Sequence, residues 1–285
     1  MSVDTSVIVT TYNQPDYLNL VLASLVMQSD RHFEVIVADD GSQVDNRAII
    51  DRYVSEFGLI ISHVWHEDCG FRKTVILNKA IAQSKGTKII FVDGDCILHR
   101  HFIREHKLCL VHGVYCIGRT PRLSRKISAK VSEAGILKGS CQRLTPAMLL
   151  DSVFGSTRKI EFGCYLGSGP FFSLAARLKK NTTLWGGNCS VLRKDLLAVN
   201  GWNEDFIGWG QEDSELGERL QNLGLKPRQV VYRAINFHLW HPKSDQMAGK
   251  HERCAMKLEI KKQGIVSCLK GLNQHLPVTI EERNG

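Results

Sequence analysis

The sequence predicts an α/β protein with a Rossmann-like, mostly parallel central sheet and flanking helices. Two observations carry that expectation. Strand and helix signals alternate through the first third of the 285 residues, and three strands end in polar or acidic clusters at Thr10–Tyr12, Asp39–Ser42 and Asp93–Asp95. Alternation of this kind implies right-handed crossovers between parallel strands, and such sheets gather ligands at the carboxyl ends of their strands.

The elements follow in order. "SVIVTTYNQPDYLNLVLASLVMQ" opens with the β-branched run Val7 to Val9, turns at Asn13 and Pro15, and repeats Leu18, Val21, Leu22 and Leu25 at helical spacing. "FEVIVADDGS" is a buried-type strand closed by two acids and a glycine. A third unit runs through Ile60–Ile61, a helix over Thr74–Ser84, and the strand "KIIFV" before "DGD". Further on, Leu216, Leu220 and Leu223 recur three to four residues apart, and Gly224 stands where a helix stops. "QVVYRAI" has the character of a strand, and "HERCAMKLEIKKQGIVSCLKGL" that of a basic helix broken at Gly264.

Charge and cysteines bound the partners. The formal charge is +8, from 37 Lys+Arg against 29 Asp+Glu, which favours anionic ligands. Nine cysteines without a C-x-x-C pair suit reduced thiols and a cytoplasmic protein. No apolar run approaches the roughly 20 residues of a membrane span, and the start MSVDTS lacks signal-peptide character. Any membrane contact is therefore expected to be peripheral, on the inner face of the cytoplasmic membrane. A nucleic-acid-binding module would account for the charge, yet zinc spacing, ribonucleoprotein aromatics and a heptad-linked basic region are all missing, so no nucleic-acid partner is expected.

The strand-end clusters bear on chemistry. Asp-Gly after a strand is commonly a turn and nothing more. Three such ends on one edge point further. Neither G-x-G-x-x-G nor G-x-x-x-x-G-K-[ST] occurs, so glycine-loop amides are not the phosphate clamp. Carboxylates one residue apart in "DGD" offer another clamp, a divalent ion on a diphosphate. A sugar-phosphate nucleotidyltransferase would use similar parts, but its glycine- and basic-rich N-terminal loop is not what "VTTYNQPDY" provides.

"SVIVTTYNQPDYLNLVLASLVMQ", "FEVIVADDGS" and "IIFVDGDC" resemble the nucleotide half of the family 2 glycosyltransferases, inverting enzymes with a GT-A fold and nucleotide-sugar donors. The resemblance implies that Thr10, Tyr12 and Asp40 line the nucleoside pocket, with Asp40 accepting from uracil N3–H, and that Arg72 lies near the base. It also implies that Asp93 and Asp95, as a D-x-D motif, hold a metal on the donor diphosphate.

"LWGGNCSVLRKDLLAVNGWNEDFIGWGQEDSELGERLQNLG" is similar to a stretch shared by bacterial chondroitin- and hyaluronan-type polymerase domains and by β-1,4-galactosyltransferases, in which G-G-N precedes W-G-x-E-D. This likeness implies donor contacts at Gly187 and Asn188, acceptor contacts at Trp209 and Glu212, and a general base at Asp213. Glu212 and Asp213 fall at the start of the expected helix, where acids are ordinary caps. The same helix dipole favours an ionised carboxylate, the form a base needs. In "NFHLWHP", His238 and His241 are both candidates for the histidine that completes the metal shell in related enzymes. Carboxylate oxygens with an imidazole suit Mn²⁺ better than Mg²⁺.

The expectation is one GT-A domain over 1–285, with a nucleotide-binding half (1–117), an unplaced basic segment (118–183), an acceptor and catalytic half (184–245) and a basic helical tail (246–285). Within the basic segment, Arg119, Arg122, Arg125, Lys126, Lys130, Lys138 and Arg143 surround one acid, Glu133. Arg158, Lys159 and "GPFFSLAARLKK", with Phe171, Phe172, Leu174 and Leu178, follow. This segment either docks on an anionic leaflet or forms a solvated acceptor loop. The predicted activity is inverting transfer from a UDP-sugar of the Gal, GalNAc, Glc or GlcNAc class to a saccharide or lipid-linked saccharide, giving a β linkage in surface polysaccharide.

Overall fold

The computed structural model describes residues 3–140, 142–167, 183–242 and 249–277. The chain opens as β1 (Thr5–Thr11), α1 (Pro15–Val26), β2 (Glu34–Asp39), α2 (Arg47–Phe57), β3 (Ile61–Trp65), α3 (Lys73–Gln83) and β4 (Lys88–Asp93). It continues as β5 (Cys96–Leu98), α4 (Phe102–Cys109), β6 (Val114–Ile117), α5 (Arg125–Ser128), α6 (Glu133–Leu137) and α7 (Pro146–Phe154). The remaining elements are β7 (Asn188–Leu192), α8 (Arg193–Ala198), α9 (Glu212–Asn222), β8 (Lys226–Gln229), β9 (Asn236–His238) and α10 (Lys250–Gln263).

Seven strands form one sheet in the order β3-β2-β1-β4-β7-β6-β8, and only β7 runs against the rest. The mostly parallel sheet is thus present, and strands from both ends of the sequence share it. Val7, Ile8 and Val9 of β1 and Val35 to Val37 of β2 are buried on both faces, which is why they read as continuous apolar runs. Pro15 opens α1 at its first turn, where a missing N–H costs nothing. Helix α2 has no counterpart in the sequence expectation. It buries only Ile50 and Tyr53, too few to print a helical period.

One expectation fails. "QVVYRAI" is not a strand: β8 ends at Gln229 and the chain turns back before β9, with Tyr232 at φ 66°. Val230, Val231, Ala234 and Ile235 are apolar because the turn passes through the core. That turn feeds β9, which pairs with β5 and sets His238 opposite Cys96, one residue from Asp95.

The middle segment folds as short capped helices. Ser124, Ser132 and Thr145 accept the N–H groups of Ile127, Gly135 and Met148, each at 3.2 Å, which satisfies donors at each helix start. Ile127, Ile136 and Met148 enter the core beside α1. Glu133 accepts from Arg52 at 2.8 Å and Asn19 at 2.9 Å, tying the basic segment to α1 and α2. Phe171, Phe172, Leu174 and Leu178 lie outside the described residues. Among the described residues no helix is long and apolar enough to cross a membrane.

Candidate active site

The acid-rich stretch divides into structural and cavity-facing carboxylates. Glu215 and Arg219 form a buried bidentate pair at 2.7 and 2.8 Å, and Arg219 also donates to the Val199 carbonyl. Glu215 therefore anchors α9 and is unavailable to substrate. In front of the helix, Gly208, Gly210 and Gln211 sit at φ 89°, 101° and 82°, the left-handed region that glycine enters cheaply. From α10, Arg253 donates to the carbonyls of Ile207 (2.8 Å), Trp209 (2.7 Å) and Gly210 (3.0 Å). This clamp holds the loop that carries Trp209.

Asp213 accepts the N–H groups of Ser214 at 2.6 Å and Gly186 at 3.2 Å and lines the cavity. Glu212 is buried, and its Oε2 has no hydrogen-bond partner among the described residues. Burial, and then the neighbouring Asp213, push the Glu212 carboxyl up to about 7. Burial also raises Asp213, against the pull of the Gly186 and Ser214 amides.

Lys73 completes this corner, and the sequence reading did not single it out. Its Nζ lies 2.5 Å from Asp93 Oδ1. Burial works to lower its pKa, but Asp93 and then Glu212 and Asp213 hold it above the ordinary lysine range. The only sequence signal was its place beside Arg72 at the start of a helix. Asp93 also accepts from the Thr10 hydroxyl at 3.3 Å. A Cβ on Gly187 would fall 2.3 Å from Asp93 Oδ2, so Gly187 is where backbone and carboxylate meet. Asn188 faces the same wall, but its carboxamide is committed to His106 (3.1 Å), Ala234 (3.0 Å) and Asn236 (2.7 Å). It supports the cavity and offers no free amide.

A second corner holds Asp95. Its Oδ2 lies 3.1 Å from His241 Nε2 and 3.4 Å from His238 Nε2. One ligand atom from each residue falls within 4.8 Å of the others, and an oxygen with two imidazoles fits a divalent ion of the Mn²⁺ type. Both candidate histidines reach the cluster. Asp93 is not part of that group; its partners are Lys73 and Thr10.

The expected nucleoside residues share the carboxyl edge of the sheet. Asp40 is bonded to His66 Nε2 at 2.8 Å and accepts the Arg72 N–H at 3.0 Å, and each of its oxygens keeps a second lone pair. Tyr12 donates to Asp68 at 2.9 Å and is exposed. The Arg72 guanidinium bonds the Glu67 carbonyl at 2.7 Å, and its buried Nε has no partner among the described residues.

A cavity of about 360 Å³ joins the two corners, lined by Asp213, Glu212, Lys73, Asp93, His238 and Trp209. Trp185, absent from the sequence reading although it stands next to G-G-N, also lines it, with Arg119, Arg122 and Lys159. Trp209 is 47% exposed and Trp185 39%, so both indoles offer apolar surface to a sugar.

Residues 6–107 match the family described as glycosyl transferase family 2, and residues 172–242 that described as the N-terminal domain of galactosyltransferase. The chain is 28% identical over 230 residues to validoxylamine A glucosyltransferase of Streptomyces hygroscopicus subsp. jinggangensis, covering 77% of this chain and 52% of that protein. It is 30% identical over 234 residues to the hyaluronan synthase of Pasteurella multocida, covering 77% and 23%. The chain thus spans about half or less of these relatives. Among solved structures, S. aureus TarS 1-349 in complex with UDP superposes with a TM-score of 0.58 at 17% identity, covering 95% of this chain and 68% of that one. Mannosyltransferase PcManGT from Pyrobaculum calidifontis, in complex with GDP-Man and Mn²⁺, gives 0.56 at 18% identity, covering 89% and 61%. At these identities the two structures establish the GT-A fold.

Proposed function

The chain belongs to glycosyl transferase family 2, whose members use nucleotide sugars, and from that premise we propose that it moves a sugar from a UDP donor to a saccharide hydroxyl with inversion. The observation that carries this reading is Asp213, a carboxylate at the mouth of α9 that lines the cavity running to the Asp95–His238–His241 corner. Asp213 takes the proton of the acceptor hydroxyl as that oxygen attacks the anomeric carbon from the face opposite UDP. An α-linked donor then yields a β product, and no enzyme nucleophile is needed. The buried Glu212, whose carboxyl is pushed up to about 7, orients a sugar hydroxyl through a hydrogen bond. Trp209 packs against the acceptor ring.

Asp95, His238 and His241 would hold Mn²⁺ or, less suitably, Mg²⁺; a bound ion supplies the positive charge that a leaving diphosphate requires. Asp40, Thr10, Tyr12 and Arg72 hold the nucleoside, with uridine supported by the UDP-bound TarS likeness. The donor is of the Gal, GalNAc, Glc or GlcNAc class. The acceptor is a saccharide or lipid-linked saccharide of a surface polysaccharide. Exposed Arg125, Lys126 and Lys130 would carry any contact with an anionic leaflet, whereas Arg119 is turned to the cavity.

UDP release from a panel of UDP-sugars, with and without Mn²⁺ and oligosaccharide acceptors, tests the reading. Asp213→Asn is expected to bind UDP-sugar normally and to lose about 10²–10⁴ in turnover. Full turnover in an Asp213→Asn protein of unchanged melting temperature would defeat it.

A further inference from the structure

Three cations gather around one indole in the cavity. The Arg119 guanidinium lies 5.0 Å from the Trp185 ring centroid, Lys159 Nζ 5.4 Å and the Arg122 guanidinium 6.0 Å. An aromatic face attracts a cation, but three like charges within this reach repel one another. Among the described residues no carboxylate lies within ion-pair distance of any of them, although Asp213 acts electrostatically on Arg119 and Glu161 on Lys159. Buried Arg119 meets only neutral oxygens, the carbonyls of Gly118 at 3.2 Å and Thr183 at 3.3 Å. Burial pulls the Arg119 guanidinium down to about 10, and the Asp213 carboxylate acts against that fall without pairing with it.

The place of the cluster says which ligand it serves. Trp185 immediately precedes Gly186, whose N–H holds Asp213. A sugar stacked on Trp185 therefore puts a hydroxyl near the base, and a charged substituent on the same sugar falls among the cations. We propose that Arg119, Arg122 and Lys159, gathered around Trp185, form a subsite for an anionic group, carboxylate or phosphate, on the acceptor saccharide. The proposal rests on the glycosyl-transfer reading and narrows its acceptor to an anionic polymer. The competing ligand is the donor diphosphate, because Leu123, next to Arg122, donates its N–H to the His238 carbonyl at 2.9 Å.

The experiment is a calorimetric titration of the whole chain, without turnover, using matched probes. One is an oligosaccharide ending in glucuronate, the second its carboxyl-reduced form, and the third a counterpart ending in a hexose 6-phosphate. The wild type is expected to bind one or both charged probes about tenfold or more tightly than the reduced one, the scale of a charge-assisted hydrogen bond. In the Arg122→Gln, Lys159→Gln double variant, whose altered side chains are exposed, that preference should vanish while Mn²⁺-dependent UDP affinity stays. Arg119→Gln should act in the same way if it melts like the wild type. Equal binding of charged and reduced probes, or no binding of either charged probe, overturns the proposal. So does a matching loss of UDP affinity, which would assign the cations to the donor. Absence of UDP-sugar turnover would sink the transfer reading and leave this binding result standing on its own.

Discussion

Asp93 and Asp95 stand two residues apart after the same strand, yet they belong to different corners of the cavity. Asp93 is paired with Lys73, a permanent ammonium that also feels Glu212 and Asp213. Asp95 faces two imidazoles and no fixed cation among the described residues. The chain compensates negative charge in two ways. At the corner where the proposed reading places the proton-accepting carboxylate, Lys73 supplies a built-in counter-charge. Under the proposed reading, the corner where a diphosphate would arrive and leave would take its counter-charge from an exchangeable ion. A D-x-D spelling alone does not separate these two environments; the β5–β9 pairing and the start of α3 do.

The largest expected effect breaks the comparison at Asp95. Asp95→Ala, or the double change His238→Ala with His241→Ala, should weaken Mn²⁺-dependent UDP binding about a hundredfold or more, measured by calorimetry with and without chelator. If Asp93→Ala removes the Mn²⁺ dependence and Asp95→Ala does not, the two corners have been assigned the wrong way round.

Next in size is Lys73→Met, which removes the fixed cation and leaves Asp93, Glu212 and Asp213 facing one another. Breaking a fully buried pair costs about 3–5 kcal/mol; Lys73 and Asp93 keep 18% and 31% side-chain exposure, so about 2–3 kcal/mol is expected from urea unfolding. The loss should be independent of Mn²⁺, in contrast to any stabilisation the Asp95 corner gives. A Lys73→Met protein that regains wild-type stability on adding Mn²⁺ would merge the two corners into one.

The same contrast explains how much was legible beforehand. β1, β2 and β4 announce themselves because parallel strands buried on both faces must be apolar throughout, and α9 because Leu216 and Leu220 keep the helical period. Asp213, Asp95, His238 and His241 were candidates through the family resemblance, and the structure brings Asp95, His238 and His241 within reach of one another. Lys73, Trp185 and the partners of Asn188 were not, since each takes its role from contacts between segments far apart in sequence. Lys73 meets Asp93 across 20 residues and Asn188 meets His106 across 82. The turn at Val230–Ile235 misled for the opposite reason: burial gave it a strand's composition without a strand's partner.

The last effect, absent at low pH, sharpens the lysine corner through pH. Burial and Asp213 raise the Glu212 carboxyl to about 7 in the folded protein, against about 4.3 for an exposed glutamate. Between those values the folded state keeps a proton that the unfolded chain has released. Stability from this group is therefore full at low pH, falls as pH rises through the interval, and stays reduced above about 7. Glu212→Gln keeps the shape and the donor of the protonated acid but cannot ionise. The variant should melt close to the wild type near pH 5 and above it at pH 8, by about 2–4 °C for each kcal/mol recovered. Lys73 opposes the shift electrostatically, so in a Lys73→Met background the rise in Glu212 should be larger, and adding Glu212→Gln there should widen the gap in melting temperature at pH 8. Parallel melting profiles for wild type and Glu212→Gln from pH 5 to 8 would mean that Glu212 ionises freely, and that Lys73 and Asp93 balance each other without it.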